Sequence, residues 1–152
     1  MMKYKLFLIM LFISIFCSAF SQQKSMDSVS AKDSIVFVHK NWKHILSEAK
    51  MKDKYIFVDA NTSWCGPCKL LKTTTFKDKS VAAFFNNHFI NASFDMEKGE
   101  GVALADKWKV DAYPSLIILN MKGEIVLEKI GYVEPKDLID FAKQALSKKL
   151  NN

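Results

Sequence analysis

The sequence predicts an α/β domain in three layers, in which a central mixed sheet of four to five strands is flanked by helices. Length and composition are the first observation: 152 residues, 49% hydrophobic and 25% charged, fit one domain with a single core. The second is alternation, because short runs of β-branched and aromatic residues are separated by stretches with helical spacing. Strands joined through helical crossovers form a sheet covered on both faces.

Five runs rich in β-branched and aromatic residues are the predicted strands. In chain order they are residues 35–38, 55–60, 89–94, 116–119 and 125–129. Residues 120–124 join the last two, and because Lys122-Gly123 is a turn signal, we expect a hairpin there.

Five stretches with apolar residues at helical spacing are the predicted helices. They cover residues 42–49, 65–74, 80–87, 100–108 and 135–150. Asn41 stands at the N-cap position of the first helix, where its side chain can accept a hydrogen bond from a free backbone N–H. In the last helix the apolar residues form one broad stripe: Leu138, Ile139, Phe141, Ala142, Ala145, Leu146 and Leu150.

Residues 1–21 are predicted to be a signal peptide. Residues 1–5 carry two lysines and no acid, and residues 6–16 form an apolar run with one polar exception. This run is shorter than the about 20 apolar residues that a membrane helix needs. Ala19 and Ser21 have the small-residue spacing of a cleavage site, so we expect the mature chain to begin at Gln22.

The signal peptide implies a periplasmic or secreted protein. Cys17 also permits a lipoprotein interpretation, but Phe16 stands before it, where lipoprotein processing expects a small residue. Residues 22–34 are rich in Ser, Lys, Gln and Asp and indicate a flexible segment. The predicted folded domain is therefore residues 35–150.

The charge pattern argues against a nucleic-acid partner. All 22 basic residues are lysine, so the chain lacks the guanidinium group that best matches phosphate and guanine. The formal net charge is +6, and Lys3 and Lys5 leave with the signal peptide. A modest positive charge spread along the chain is typical of a solvated surface.

Two cysteines remain after signal cleavage, and their spacing predicts a redox site. Structural disulfide frameworks of exported chains use more cysteines than Cys65 and Cys68. Cys65 opens a predicted helix, where unpaired N–H groups and the macrodipole favour a thiolate, so it is the predicted attacking thiol. Cys68 follows one turn later on the same face, within reach of a disulfide, and is the predicted resolving thiol. Pro67 suits the first helical turn, and Gly66 keeps side-chain bulk away from an exposed sulfur.

Two other uses of a Cys-x-x-Cys pair stay open. Zinc would need two further ligands, and the mature chain offers only His39, His44 and His88 with no second cysteine pair, so no metal is expected. Two inert buried thiols are the other alternative. The redox interpretation requires no metal and no organic cofactor.

Residues 64–69 read Trp-Cys-Gly-Pro-Cys-Lys after an aspartate-bearing strand, and this segment resembles the active site of thioredoxin. The resemblance extends over most of residues 35–146 and implies a thioredoxin-like fold with protein thiol–disulfide oxidoreductase activity. It also implies that Asp59 is the family's buried aspartate, which takes a proton from the resolving thiol. Burial in an apolar strand would raise the pKa of this carboxyl, which suits a base working near neutral pH. The alternative is an aspartate that merely ends a strand.

Further positions resemble the family's substrate-binding surface. Tyr113-Pro114 matches the cis-proline loop that faces the disulfide, where the Tyr113 backbone would pair with an extended substrate segment. Gly131 matches a glycine that lets a partner approach, and Trp64 matches a ring that flanks the thiol. An ordinary trans proline and a core tryptophan are the alternatives. The predicted substrate-binding residues are Trp64, Gly66, Pro67, Tyr113, Pro114 and Gly131.

The chain departs from thioredoxin at Asn91 and Thr73, and one further segment resembles exported relatives of the family. Asn91 stands where the family has the lysine that neighbours the buried aspartate, so proton handling at Asp59 is expected to differ. Thr73 replaces the proline that kinks the active-site helix, so a straighter helix is expected. Residues 74–78, followed by residues 80–82, resemble an insert in the C-terminal domain of the membrane thiol:disulfide interchange reductase.

The expected function is reduction of disulfides in exported proteins. Gly-Pro between the cysteines is the dipeptide of thioredoxin, a strongly reducing couple at about −270 mV. The expected partners are disulfide-bearing protein substrates and a membrane or exported electron donor, and the protein is expected to be a monomer. A disulfide oxidase or isomerase and a non-catalytic peptide-binding module are the alternatives.

Overall fold

The computed structural model of the chain describes residues 33–150. The predicted signal peptide and residues 22–32 of the predicted flexible segment lie outside this range. The helices are α1 (Trp42–Lys52), α2 (Gly66–Thr73), α3 (Lys79–His88), α4 (Glu100–Trp108) and α5 (Pro135–Leu150). The strands are β1 (Tyr55–Asn61), β2 (Phe89–Asp95), β3 (Ser115–Leu119) and β4 (Ile125–Ile130). None of these helices is both long enough and apolar enough to cross a membrane.

The four strands form one mixed sheet in the order β2-β1-β3-β4. Strand β1 pairs in parallel with β2 and antiparallel with β3, and β3 pairs antiparallel with β4. The last two strands form the expected hairpin, whose turn contains Gly123 at φ 81°. The predicted α/β architecture is thus confirmed.

The predicted first strand, residues 35–38, is wrong. This segment makes only one bridge to the sheet, between Val38 and Ala92. The backbone N–H groups before that bridge find other partners, because Ile35 donates to the Phe76 carbonyl and Val36 donates to the Asn86 side chain. With its donors already satisfied, the segment cannot extend a ladder along β2.

Helices α1 and α3 begin at capping side chains. The Asn41 Oδ1 atom accepts from the His44 backbone N–H at 3.0 Å, which confirms the predicted cap of α1. Asp78 caps α3 in the same way, and its carboxylate also lies at the positive end of that helix.

Helix α2 is short, and it does not continue past Thr73, the position at which the family's proline stands, so a longer, straighter helix through this position is not formed. It ends at Thr73, and Thr74 leaves helical geometry at φ −121° and ψ −87°. The hydroxyl groups of Thr73 and Thr74 both donate to the Leu70 carbonyl, which also accepts the Thr74 backbone N–H. A 3₁₀ turn, Thr75–Lys77, then leads into α3. The chain therefore turns here without a proline.

The sheet is covered on both faces, and β1 is buried along its whole length. Phe57 and Leu71 belong to the core cluster on one face. Phe57 packs edge-to-face against Phe85, with 4.6 Å between the ring centroids. Ile56 and Val58 point to the opposite face and its second cluster. Because side chains alternate along a strand, Asp59 points to the same face as Phe57, the face on which α2 packs.

Gly101 lies in the first turn of α4, where this helix packs closely on the end of β2. A Cβ atom at this position would collide with the backbone oxygen of Asp95. Helix propensity alone would make Gly101→Ala stabilising by about 1 kcal/mol. We instead expect the substitution to lower the free energy of unfolding by about 2 kcal/mol, because backbone must move to relieve the overlap. Urea unfolding followed by circular dichroism measures the difference.

The matched control is Val102→Ala, since Val102 is the exposed neighbour on the same helix. Its stability should change by less than about 0.5 kcal/mol. A Gly101→Ala protein as stable as the original would show that α4 can move away from β2 at little cost.

Candidate active site

Cys65 and Cys68 are joined in a disulfide at the start of α2. Cys65 is the N-cap residue, and the two Cα atoms are 5.3 Å apart. The Cys68 backbone N–H donates to the Cys65 sulfur at 3.1 Å. In the reduced protein this donor and the helix dipole would both favour a thiolate at Cys65. The predicted placement of Cys65 is confirmed, and its role as the attacking thiol stays a prediction.

The expectation of an exposed sulfur is wrong for the disulfide form. Cys65 is 2% exposed and Cys68 is 1% exposed. The Cys65 sulfur is bonded to Cys68 and receives the Cys68 N–H, so it is turned toward the helix and away from solvent.

Within residues 33–150, no three His, Cys, Asp or Glu side chains come close enough together to hold a metal ion.

Trp64, directly before the disulfide, is a surface residue. Its side chain is 64% exposed, which excludes the alternative of a core tryptophan. The indole ring packs edge-on against Tyr113 at 6.0 Å between centroids, and its Nε1–H donates to the Glu97 carboxylate at 2.9 Å. An exposed ring held in one orientation beside a disulfide offers apolar area to a partner.

The Tyr113-Pro114 loop before β3 is hydrogen-bonded to Gly131, the residue directly after β4. The Tyr113–Pro114 peptide bond is cis, as the resemblance implies, so the trans alternative is wrong. The Gly131 backbone N–H donates to the Pro114 carbonyl at 2.8 Å. Gly131 has φ 92°, and apart from adjacent backbone no atom lies within 4 Å of the place where a Cβ would stand at Gly131 or Gly66. The backbone is therefore open to a partner at both glycines.

Asp59 is fully buried inside β1 and does not end the strand, so that alternative is wrong. Its Oδ2 atom accepts from the Ser93 hydroxyl at 2.8 Å and from the Asn61 side chain at 3.0 Å. The Oδ1 atom has no hydrogen-bond partner among the described residues. Burial raises the pKa of this carboxyl, and the Lys72 cation, Ser93 and Asn61 partly offset that rise.

Lys72 is the residue that the sequence analysis missed. Its ammonium group lies 3.7 Å from Asp59 Oδ2 and donates to Asn61 Oδ1 at 2.9 Å. Asn91, where the family has a lysine, instead donates to Asn86 at 3.2 Å. The cation thus comes from α2 and not from β2. Its spacing was a usable signal, because Lys72 follows Cys68 by four residues and so shares its helical face.

Two cysteines that form one disulfide at the start of a helix are an arrangement suited to thiol–disulfide exchange, the chemistry of disulfide oxidoreductases. The model of the thioredoxin-like domain family matches residues 42–146, a span that includes every site residue described above. The chain belongs to the thioredoxin-like family.

Relatives with known names agree with this assignment. A solved structure of a proposed disulphide-isomerase from Bacteroides thetaiotaomicron is 44% identical and superimposes with a TM-score of 0.67, covering 75% of this chain and 94% of that one. A protein disulfide-isomerase of Datisca glomerata is 26% identical over 136 residues, which are 90% of this chain and 26% of that protein. The thiol:disulfide interchange protein DsbD of Campylobacter jejuni is 27% identical over 65% of this chain and 18% of its own length. The chain thus spans about a quarter or less of these two longer relatives.

The buried carboxyl makes a prediction about stability and pH. Because the folded pKa of Asp59 lies above the ordinary value of 3.8, the folded protein binds this proton more tightly than the unfolded chain. Stability is therefore lost as the pH rises from about 4 through the raised pKa. Asp59→Asn stays neutral, so it should be more stable than the original at pH 7 to 8 and lose that advantage at acidic pH. Urea unfolding of the oxidised protein across this pH range measures both.

Asp106→Asn is the control, since Asp106 is exposed on α4. Its stability should follow that of the original protein within about 0.5 kcal/mol at every pH. If the curves of the original and Asp59→Asn ran parallel over the whole range, Asp59 would not titrate as the burial argument requires.

Proposed function

We propose that the protein is an exported reductase of protein disulfides. The observation that carries the proposal is the Cys65–Cys68 disulfide at the start of α2, on the face of the sheet where the Asp59 carboxyl is buried. This arrangement supplies a stabilised attacking thiolate and, on the same side of the sheet, a group able to take a proton.

The proposed reaction has two exchange steps. In the reduced protein the Cys65 thiolate attacks one sulfur of a substrate disulfide, which breaks that bond and releases the other substrate sulfur as a thiolate. The Cys68 thiol then gives its proton to Asp59 and attacks Cys65 in the mixed disulfide. The second substrate sulfur leaves as a thiolate and takes a proton from solvent, and the Cys65–Cys68 disulfide forms again. Two electrons pass from the protein to the substrate.

Substrate would bind across the surface formed by Trp64 and the cis-proline loop. Trp64 and Tyr113 provide an aromatic pair, and Ile130 at the end of β4 is 56% exposed. The open backbone at Gly131 leaves room for an extended segment to lie beside Tyr113, in the manner of strand addition. Access along this surface would allow a substrate to reach the sulfur that the disulfide form keeps buried.

Export and an electron donor complete the proposal. The charged and apolar segments of residues 1–16 support export, and they imply a compartment in which an external donor must restore the dithiol. Similarity to a thiol:disulfide interchange protein supports another protein that exchanges thiols and disulfides as the class of donor, either in the membrane or exported.

Disulfide isomerisation is the second candidate function. The names of the Bacteroides and Datisca relatives favour it, and the Bacteroides protein is matched over nearly its whole length. The Gly66-Pro67 dipeptide favours reduction, because the strongly reducing thioredoxin couple carries the same pair.

The reduction potential of the Cys65–Cys68 couple separates the two candidates. Equilibration with glutathione should place a reductase near about −270 mV, the thioredoxin value. Insulin reduction should then be fast and refolding of scrambled ribonuclease slow. A potential above about −180 mV, the isomerase range, would overturn the reductase proposal.

Cys68→Ala removes the resolving thiol, so mixed disulfides on Cys65 should accumulate. We expect the trapped partners to be exported proteins with disulfides, and the trapped chain to begin at Gln22 by mass spectrometry. Cys65→Ala should capture none of them, because the attacking sulfur is gone. Cytosolic partners, or a trapped chain that keeps its first 21 residues, would contradict the export proposal.

A further inference from the structure

We propose that Lys72 is a positioning residue of the exchange reaction, whose ammonium group keeps the Asp59 carboxyl ready to accept the proton of the Cys68 thiol. The inference rests on the proposed two-step exchange. It names a residue that keeps the Asp59 carboxyl ionised and therefore able to accept a proton.

The geometry places Lys72 between the buried carboxyl and the surface. Its side chain is 44% exposed, whereas the Asp59 side chain has no exposed area. The ammonium group lies 3.7 Å from Asp59 Oδ2 and donates to Asn61 Oδ1, while the other end of the Asn61 amide donates to Asp59 Oδ2. Lys72 thus holds the carboxyl both directly and through Asn61. Its ion pair is with Asp59 and its hydrogen bond goes to Asn61, so the carboxyl is the group through which it would act on the exchange reaction.

The helix supplies the thiol and the cation to the same face. Cys68 and Lys72 are four residues apart on α2, so both project toward the side of the sheet where Asp59 points. Leu71 between them anchors this face in the core. Movement of α2 would therefore shift the thiol and the cation together relative to Asp59.

The two carboxylate oxygens of Asp59 have different tasks in this arrangement. Oδ2 receives Ser93, Asn61 and the Lys72 cation, whereas Oδ1 has no partner among the described residues. Interactions at Oδ2 favour the ionised carboxyl. Oδ1 is left as the atom that can take the proton.

Lys72 supplies the charge that acts on this carboxyl within the described residues. Strand β2 presents Ser93 and Asn91, strand β3 presents Leu116 opposite Asp59, and β1 itself presents Asn61. All of these are uncharged. On α2 the other titratable groups are the exposed Lys69 and, in the reduced protein, the Cys68 thiol, which is the proton donor of the proposed step.

The consequence for the reaction lies in its second step. Removing the cation would make protonation of the buried Asp59 easier, so a larger fraction of molecules at neutral pH would hold a carboxylic acid that cannot accept the Cys68 proton. Release of the reduced substrate would slow, and its pH profile would move to higher pH. The first attack by Cys65 uses a thiolate at the helix start and needs no such acceptor.

Lys72→Met tests the proposal, because it keeps most of the side-chain length and removes the charge. We measure the ¹³C titration of the Asp59 carboxyl in the reduced protein, and the pH dependence of substrate release from a preformed mixed disulfide on Cys65. The Asp59 titration should move to higher pH by about one unit. Release at pH 7 should slow, by up to about tenfold for a shift of one unit, with formation of the mixed disulfide nearly unchanged.

Two further variants separate charge from structure. Lys72→Arg keeps a cation at this place and should restore most of the titration and the release rate. Lys79→Met removes an exposed lysine at the start of α3 that forms no ion pair within residues 33–150, and it should behave as the original protein. Circular dichroism and urea unfolding confirm that each variant is folded.

An unchanged Asp59 titration in folded Lys72→Met would overturn the proposal, and so would a release rate that falls equally in Lys72→Arg. These results are independent of the direction of the reaction. An oxidising potential would reject the reductase proposal, whereas the Asp59 titration alone decides whether Lys72 controls the carboxyl.

Discussion

The buried carboxyl of Asp59 is the constraint on which the arrangement of the active site depends. A carboxyl inside a fully buried strand loses the solvation of its charged form, and polar partners must offset that cost. Asn61 comes from the same strand, Ser93 from the neighbouring strand and Lys72 from the helix that carries the disulfide. Three elements must therefore be in place together before this group can be tolerated.

Packing of α2 on the sheet links this constraint to the sulfur chemistry. Leu71 joins the core cluster that contains Phe57, two residues before Asp59 on the same face of β1. That contact sets which face of α2 turns inward, and Cys68 and Lys72 lie on it. The N-terminus of the same short helix then places Cys65 among free backbone donors. One helix thus provides both cysteines of the disulfide and the cation.

Helices and paired strands were predictable to within a few residues, because their apolar spacing reflects the faces that become buried. Residues 35–38 show the limit of that signal. The run is apolar and β-branched, yet its N–H groups bond to Phe76 and Asn86, so composition alone could not show where they would find partners. Thr73 shows another limit. The absence of a proline predicted a straighter helix, whereas the helix ends at Thr73 and a 3₁₀ turn follows it.

The sequence by itself determined the elements of the chemistry: two cysteines at the start of a helix, and an aspartate in an apolar strand six residues before the first of them. Both follow from short-range spacing, which a linear pattern records faithfully. Only the tertiary structure decided which groups hold that aspartate. Ser93 is 34 residues from Asp59 and reaches it through the parallel register of β1 and β2, and Lys72 reaches it because α2 packs on that face. Register and packing depend on the whole core, so the cation that acts on Asp59 comes from a different element than the family resemblance implied.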